Sequence, residues 1–160
     1  MFKTHVSFHQ FWPPTSSFYL YESDLRFPYA PTGPVTGERV TVVGAGLIGL
    51  LVVSILSRLH LTTLRAVDPI PSRRKLAELV GASEVIDPSN LANLEEDARA
   101  DTSIEVSGVA AGLQTALDYT GYGGRVIIGS WYANHQKPAP IKLGLAFHRS
   151  HLRILVSQVP

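Results

Sequence analysis

The chain has 160 residues, of which 45% are apolar and 17% charged, so its composition is that of a globular domain and not of a disordered chain. Its 14 basic and 13 acidic residues leave a net charge of +1, which provides no electrostatic footprint for nucleic acid. Cysteine is absent, which excludes disulfides, thiolate catalysis and cysteine-ligated metal centres within this sequence.

Residues 1–36 predict an irregular N-terminal arm. They hold nine of the fourteen aromatic residues and five prolines, with no sustained helical or strand period. The arm either covers a surface or is the remnant, or non-native start, of a longer chain. It lacks the basic stretch and unbroken apolar run of a secretory signal. Residues 42–59 resemble a membrane span in hydropathy, but their glycines have a more specific explanation, so we expect no membrane association.

From residue 37 to residue 160 the pattern alternates between strands and helices and predicts one further domain. Strands are predicted over 39–43, 62–67, 84–86, 103–106, 125–129 and 152–157. Helices are predicted over 47–59, 72–80, 91–98, 110–119 and 143–150, with Ser72 as an N-terminal cap. This order is typical of an α/β fold: a doubly wound, parallel, six-stranded sheet with helices on both faces.

A glycine-rich run, Gly44-Ala45-Gly46-Leu47-Ile48-Gly49, follows the first strand directly and opens the first helix. Gly44 permits the tight turn, Gly46 lets a pyrophosphate approach the backbone, and Gly49 lets the helix pack close to the sheet. Asp68 lies 19 residues after Gly49, where its carboxylate can accept both hydroxyls of an adenosine ribose. Together these features predict a Rossmann-type dinucleotide site.

Asp68 favours NAD over NADP, because a carboxylate at this position repels a 2′-phosphate. Arg73 and Arg74 follow closely; they contact a phosphate, cover the adenine face, or form a solvated first turn of the next helix. Two more loops lie at the carboxyl ends of strands, where such sheets bind ligands. Ser107 and Gly108 belong to one loop, and Gly129 and Ser130 belong to the other. We expect both loops to border the nicotinamide half; Trp131 and Tyr132 serve there or simply pack.

Residues 37–158 resemble the cofactor-binding domain of the medium-chain dehydrogenase/reductase superfamily, the zinc-type alcohol dehydrogenases. The matching stretches are 37–40, 42–49, 67–68 with Arg73, 76–77, 79–82, 104–108 and 123–126, with 130–132, 146–148 and 157–159 resembling a bacterial branch. The resemblance implies a cytoplasmic NAD(P)-dependent oxidoreductase that transfers hydride between an alcohol-type carbon and nicotinamide.

In that family, catalysis and zinc belong to a separate preceding domain with cysteine, histidine and carboxylate ligands. Thirty-six residues without cysteine are too few for such a domain. The expectation is therefore a fragment or a chain with an altered start, with zinc only in the missing domain and no catalytic or metal-binding residue transferable here. A non-catalytic NAD-binding or sensing module is the alternative.

Three other interpretations of the residues are less favoured. The pairs His5–His9 and His148–His151 have zinc-compatible helical spacing, but no obvious third ligand lies nearby. A methyltransferase fits the third glycine poorly, and a short-chain dehydrogenase needs a Tyr-x-x-x-Lys pair, which Tyr119, Tyr122 and Tyr132 do not form.

Two positions in the later strands carry further expectations. Glu105 lies in a predicted buried strand, where a carboxylate is either a catalytic base or a hydrogen-bonded structural residue, and we expect the structural role. The last strand, 152–157, is expected at the sheet edge, where it offers a surface for a homodimer.

Overall fold

The computed structural model describes residues 33–93, 95–132 and 140–157. Most of the predicted N-terminal arm, with His5 and His9, lies outside these residues.

The described chain alternates strands and helices in one parallel sheet. The strands are β1 (Arg39–Val43), β2 (Thr63–Val67), β3 (Glu84–Ile86), β4 (Ala100–Glu105), β5 (Thr120–Ile128) and β6 (Arg153–Val156). The helices are α1 (Leu47–Leu56), α2 (Pro71–Leu79), α3 (Ala110–Tyr119) and α4 (Leu145–Arg149). The strand order is β3-β2-β1-β4-β5-β6, and every pairing is parallel. The predicted α/β, doubly wound, six-stranded Rossmann-type fold is confirmed.

The core forms two layers, one on each face of the sheet, because successive strand residues point to opposite faces. On β1, Val42 packs with α1 and α2, while its neighbour Val43 packs in the cluster that contains α3 residues. Both faces of the central strands are therefore covered, which explains their continuous apolar sequence.

Local hydrogen bonds explain two differences between the predicted and the observed elements. The helix predicted over 91–98 is instead two 3₁₀ segments, Pro88–Asn93 and Glu96–Ala98. Asp87 accepts both the backbone N–H and the hydroxyl of Ser89, which favours a tight turn over a regular helix.

Ser72 does not cap α2. The helix begins at Pro71, with Ile70 at the cap position. The Asp68 carboxylate accepts the Ile70 N–H, and proline fits the first helical position because its missing donor is not needed there.

β5 begins at Thr120, directly after α3, and is longer than predicted. Its pairing with β4 shifts register between Ala100 and Thr102, as in a β-bulge. β6 lies at the edge of the sheet, as predicted. Among the described helices, none has the length and apolar character needed to cross a bilayer.

Candidate functional site

The loop between β1 and α1 depends on glycine at two positions. Gly44 has a φ of +99°, and a Cβ there would lie 2.7 Å from the Cα of Ser107. A Cβ on Gly49 would lie 1.8 Å from the carbonyl oxygen of Gly44. The helix therefore approaches the end of β1 more closely than any side chain permits, as the glycine spacing predicts.

Gly46 differs from Gly44 and Gly49 because nothing lies within 4 Å of a Cβ added at this position. It is the N-cap residue of α1 and no side chain caps that end. The first-turn N–H groups of a helix have no partner within it, and they carry partial positive charge. Leu47 is 75% exposed beside this opening. The open space and the helix terminus together fit a phosphate group.

Asp68 joins the end of β2 to this loop. Its side chain is nearly buried, and Oδ2 accepts the N–H of Ala45 at 2.9 Å. Oδ1 accepts the N–H of Ile70 at 2.8 Å. A carboxylate oxygen can accept two hydrogen bonds, and from the described residues each oxygen accepts one, with Arg73 Nη1 3.6 Å from Oδ2.

The two arginines after Asp68 have different surroundings. Arg73 is 49% exposed, with Nη1 3.6 Å from Asp68 Oδ2. Arg74 turns the other way and donates from Nη1 to the Asp68 carbonyl at 2.6 Å and to Asp87 Oδ2 at 2.9 Å. Hydrogen bonds from Ser89, followed by the charge of Arg74, lower the pKa of Asp87. Arg74 is thus a structural residue, whereas Arg73 borders the candidate site.

The loops after β4 and β5, residues 106–109 and 129–132, meet beside the glycine loop, and we call them the paired loops. Gly108 donates its N–H to Ser130 Oγ at 2.8 Å, and its φ is +75°. A Cβ on Gly129 would lie 3.0 Å from Val106 Cγ1. The structure therefore brings four predicted residues together at the carboxyl ends of β4 and β5: Ser107, Gly108, Gly129 and Ser130.

Glu105, the last residue of β4, connects the paired loops. It is fully buried and accepts hydrogen bonds from the Ser107 N–H at 2.7 Å and the Ser107 hydroxyl at 2.5 Å. The Tyr132 hydroxyl donates to its other carboxylate oxygen at 2.5 Å. Burial, followed by the hydrogen bond to Glu105, raises the pKa of Tyr132. The sequence places Glu105 in a buried strand but carries no signal for a partner 27 residues away.

Trp131 is 75% exposed, whereas Tyr132 is 36% exposed and its hydroxyl is held by Glu105.

His148 and His151 do not form the helical pair that their spacing allows. His148 lies in α4, but His151 follows that helix with a φ of +52°, so the pair does not share a helical face. His151 instead contacts the ring edge of Tyr122 at a centroid distance of 5.4 Å. Within the described ranges, no three histidine, aspartate or glutamate side chains come together as metal ligands.

A cavity of about 710 Å³ lies between α3 and residues 140–152. Its lining includes Gln114, Lys142 and Phe147 but no residue of the glycine loop, so it is separate from the site described above.

The fold and the glycine loop define a class. A parallel sheet whose order reverses between β1 and β4, with a glycine turn opening the helix at that point, is the architecture of dinucleotide-binding α/β domains.

Comparison with known proteins identifies the family. The profile of the zinc-binding dehydrogenases matches residues 48–159. L-threonine 3-dehydrogenase of Caldanaerobacter subterraneus subsp. tengcongensis is 33% identical over 103 residues, covering 61% of this chain and 30% of that protein. (R,R)-butanediol dehydrogenase of Bacillus subtilis strain 168 is 35% identical over 100 residues, covering 59% and 29%. The chain belongs to the zinc-binding dehydrogenase family.

Solved structures agree. A Sinorhizobium meliloti 1021 protein assigned to the zinc-binding dehydrogenases and bound to NADP is 28% identical, with a TM-score of 0.68 over 78% of this chain and 38% of its own. 2R,3R-butanediol dehydrogenase of Bacillus subtilis is 27% identical, with a TM-score of 0.65 over 83% and 38%. This chain has the fold of the family's NAD(P)-binding domain, and it spans about a third of the length of the curated relatives that it matches.

Proposed function

We propose that residues 37–160 bind a nicotinamide dinucleotide and supply the NAD(P)-binding part of an alcohol dehydrogenase-like oxidoreductase. The observation that carries this proposal is the open space above Gly46 at the uncapped N-terminus of α1. Such a terminus offers unpaired N–H groups and partial positive charge to a pyrophosphate.

The ligand groups can be assigned to parts of the site. The backbone of Gly44, Ala45, Gly46, Leu47, Ile48 and Gly49 holds the pyrophosphate. Asp68 accepts the adenosine ribose hydroxyls through its remaining acceptor positions, with Arg73 at the edge of that pocket. Ser107, Gly108, Gly129 and Ser130 border the nicotinamide ring. When bound, the cofactor supplies the hydride acceptor or donor; these residues bind and orient it.

NAD is preferred over NADP in this proposal. The Asp68 carboxylate lies at the end of β2 and disfavours a second phosphate on the ribose. The exposed guanidinium of Arg73 provides an opposing attraction, 3.6 Å from that carboxylate. The S. meliloti relative binds NADP, so both cofactors belong in the test.

No catalytic residue is assigned to this chain. The described residues bring no three potential metal ligands together, so no zinc site is assigned to them. The proposal for the complete reaction, hydride exchange with an alcohol-type substrate, rests on family membership.

The sheet edge supports a proposal for assembly. β6 is an edge strand whose Val156 is 59% exposed, and pairing of two such edges would produce a homodimer with a continuous sheet. A cytoplasmic location and the lack of a nucleic-acid partner complete the proposal; the net charge of +1 supports the latter.

The test is thermal unfolding of the purified chain with NAD, NADP or S-adenosylmethionine at saturating concentration. A ligand at about 100 times its Kd stabilises by about 2.7 kcal/mol. For a domain of this size, we expect NAD to raise the midpoint by roughly 5–10 °C, NADP to raise it less, and S-adenosylmethionine to leave it unchanged. A cooperative transition that no dinucleotide shifts would contradict the proposal.

A further inference from the structure

Glu105 is a buried acidic residue that cofactor binding, as proposed above, does not use directly. It is fully buried, which is costly for a carboxylate unless hydrogen bonds replace the water it loses. Three neutral donors compensate: the Ser107 N–H, the Ser107 hydroxyl and the Tyr132 hydroxyl.

These hydrogen bonds join segments that are far apart in the chain. Ser107 lies in the loop after β4, and Tyr132 lies in the loop after β5. Ser130 Oγ adds a second link by accepting the Gly108 N–H at 2.8 Å. A Cβ on Gly112 would lie 2.0 Å from Ser107 Oγ, so the first turn of α3 closes over the serine. The paired loops are thus held as one unit.

The unit lies on one side of the glycine loop. Ser107 is so close to Gly44 that a Cβ on Gly44 would lie 2.7 Å from its Cα. β1 pairs with β2 on one side and with β4 on the other. Asp68, at the end of β2, marks the adenosine half of a bound dinucleotide. The paired loops, at the ends of β4 and β5, therefore face the other half.

We propose that Glu105 is a positioning residue for the nicotinamide half of the cofactor: through Ser107 and Tyr132 it holds the paired loops in the conformation that receives the ring. The inference rests on the proposed dinucleotide binding. A loop held in its binding conformation loses less freedom when the ligand arrives, so its affinity for that part of the ligand is higher. The adenosine half is held elsewhere and does not depend on Glu105.

The test compares NADH with ADP-ribose, which lacks the nicotinamide ring, by calorimetric titration of the full chain. Tyr132→Phe removes the hydroxyl that binds Glu105 and keeps the ring. Glu105→Gln replaces an acceptor oxygen with an amide donor that faces donors. We expect Tyr132→Phe to weaken NADH binding about three- to tenfold while ADP-ribose binding changes less than about twofold. Folded Glu105→Gln protein should show a larger loss of NADH binding than Tyr132→Phe. Tyr122→Phe, at a largely exposed tyrosine near the start of β5, is the matched control.

The outcomes separate the two proposals. Equal weakening of NADH and ADP-ribose by Tyr132→Phe, or no weakening of either, overturns the role of Glu105 while leaving dinucleotide binding intact. A wild-type chain that folds but binds neither ligand overturns dinucleotide binding itself, and the role of Glu105 with it.

Discussion

The carboxylate of Asp68 accepts the backbone N–H of Ala45 at 2.9 Å, so the end of β2 holds the loop that follows β1. The two residues are 23 positions apart, and both are buried. Asp68 also accepts the N–H of Ile70, which sets the start of α2. One side chain therefore shapes the glycine loop and the next helix, in addition to its proposed contact with ribose.

Asp68→Asn tests this relationship. Asparagine offers one acceptor oxygen, and its amide faces a backbone N–H that also donates. We expect the free energy of unfolding to fall by about 1–3 kcal/mol, measured by urea denaturation, since a buried donor loses its partner. Asp118→Asn is the control, because Asp118 is exposed and accepts a surface hydrogen bond from Gln114. Equal stability of the Asp68 variant and the wild type would show that the loop does not depend on this carboxylate.

Gly46→Ala separates the architecture of the glycine loop from its binding role. The added Cβ meets no atom within 4 Å, so the free energy of unfolding of the variant should lie within about 1 kcal/mol of the wild-type value. The methyl group fills the space proposed for the pyrophosphate, and the NAD-induced rise in midpoint should disappear. Gly144→Ala adds a methyl group to equally open space outside the site and should retain the rise. An undiminished NAD response in Gly46→Ala would place the pyrophosphate elsewhere.

The raised pKa of Tyr132 predicts a loss of stability at alkaline pH. Its causes are burial, the hydrogen bond to Glu105 and the negative charge of Glu105. Above the usual tyrosine pKa of about 10, the unfolded chain releases this proton while the folded chain retains it, so rising pH favours unfolding. Below that pH the contribution is fully present.

The measurement is the free energy of unfolding between about pH 9 and pH 11.5 in wild type and Tyr132→Phe. The wild type should lose stability more steeply, because the phenylalanine variant has no proton to release at this position. Tyr122→Phe provides the comparison at an exposed tyrosine and should follow the wild type. Parallel curves for wild type and Tyr132→Phe would contradict the prediction.

Val156→Pro tests the proposed edge-to-edge dimer. The Ser157 N–H donates to the Ile128 carbonyl, so by alternation along the strand the N–H of Val156 points away from the sheet. Proline at such a position leaves the pairing with β5 intact and blocks pairing with a second copy. Light scattering after size exclusion should show a dimer for the wild type and for Val156→Thr, and a monomer for Val156→Pro. A dimer that survives the proline substitution must use another surface.

Local sequence patterns predict much of the fold. The β-branched run of β1 and the bounds of α3 follow from patterns within a few residues, and the structure confirms both. The glycine spacing predicts close packing at Gly49, and the would-be Cβ there lies 1.8 Å from the Gly44 carbonyl. The 3₁₀ segments after β3 do not follow from the pattern, because the side-chain bonds of Asp87 compete locally with a helix.

Some features of the candidate site follow from the sequence, and others depend on the tertiary structure. By itself, the sequence determined the strand–glycine turn–helix unit and the acidic residue after the second strand, because each depends on residue type at short spacing. Only the tertiary structure decided which arginine lies beside the Asp68 carboxylate and which pairs with the Asp87 carboxylate. It also decided that Glu105 reaches Tyr132. Those choices depend on the strand order and register that bring distant segments together, and no local pattern encodes which side chains then meet.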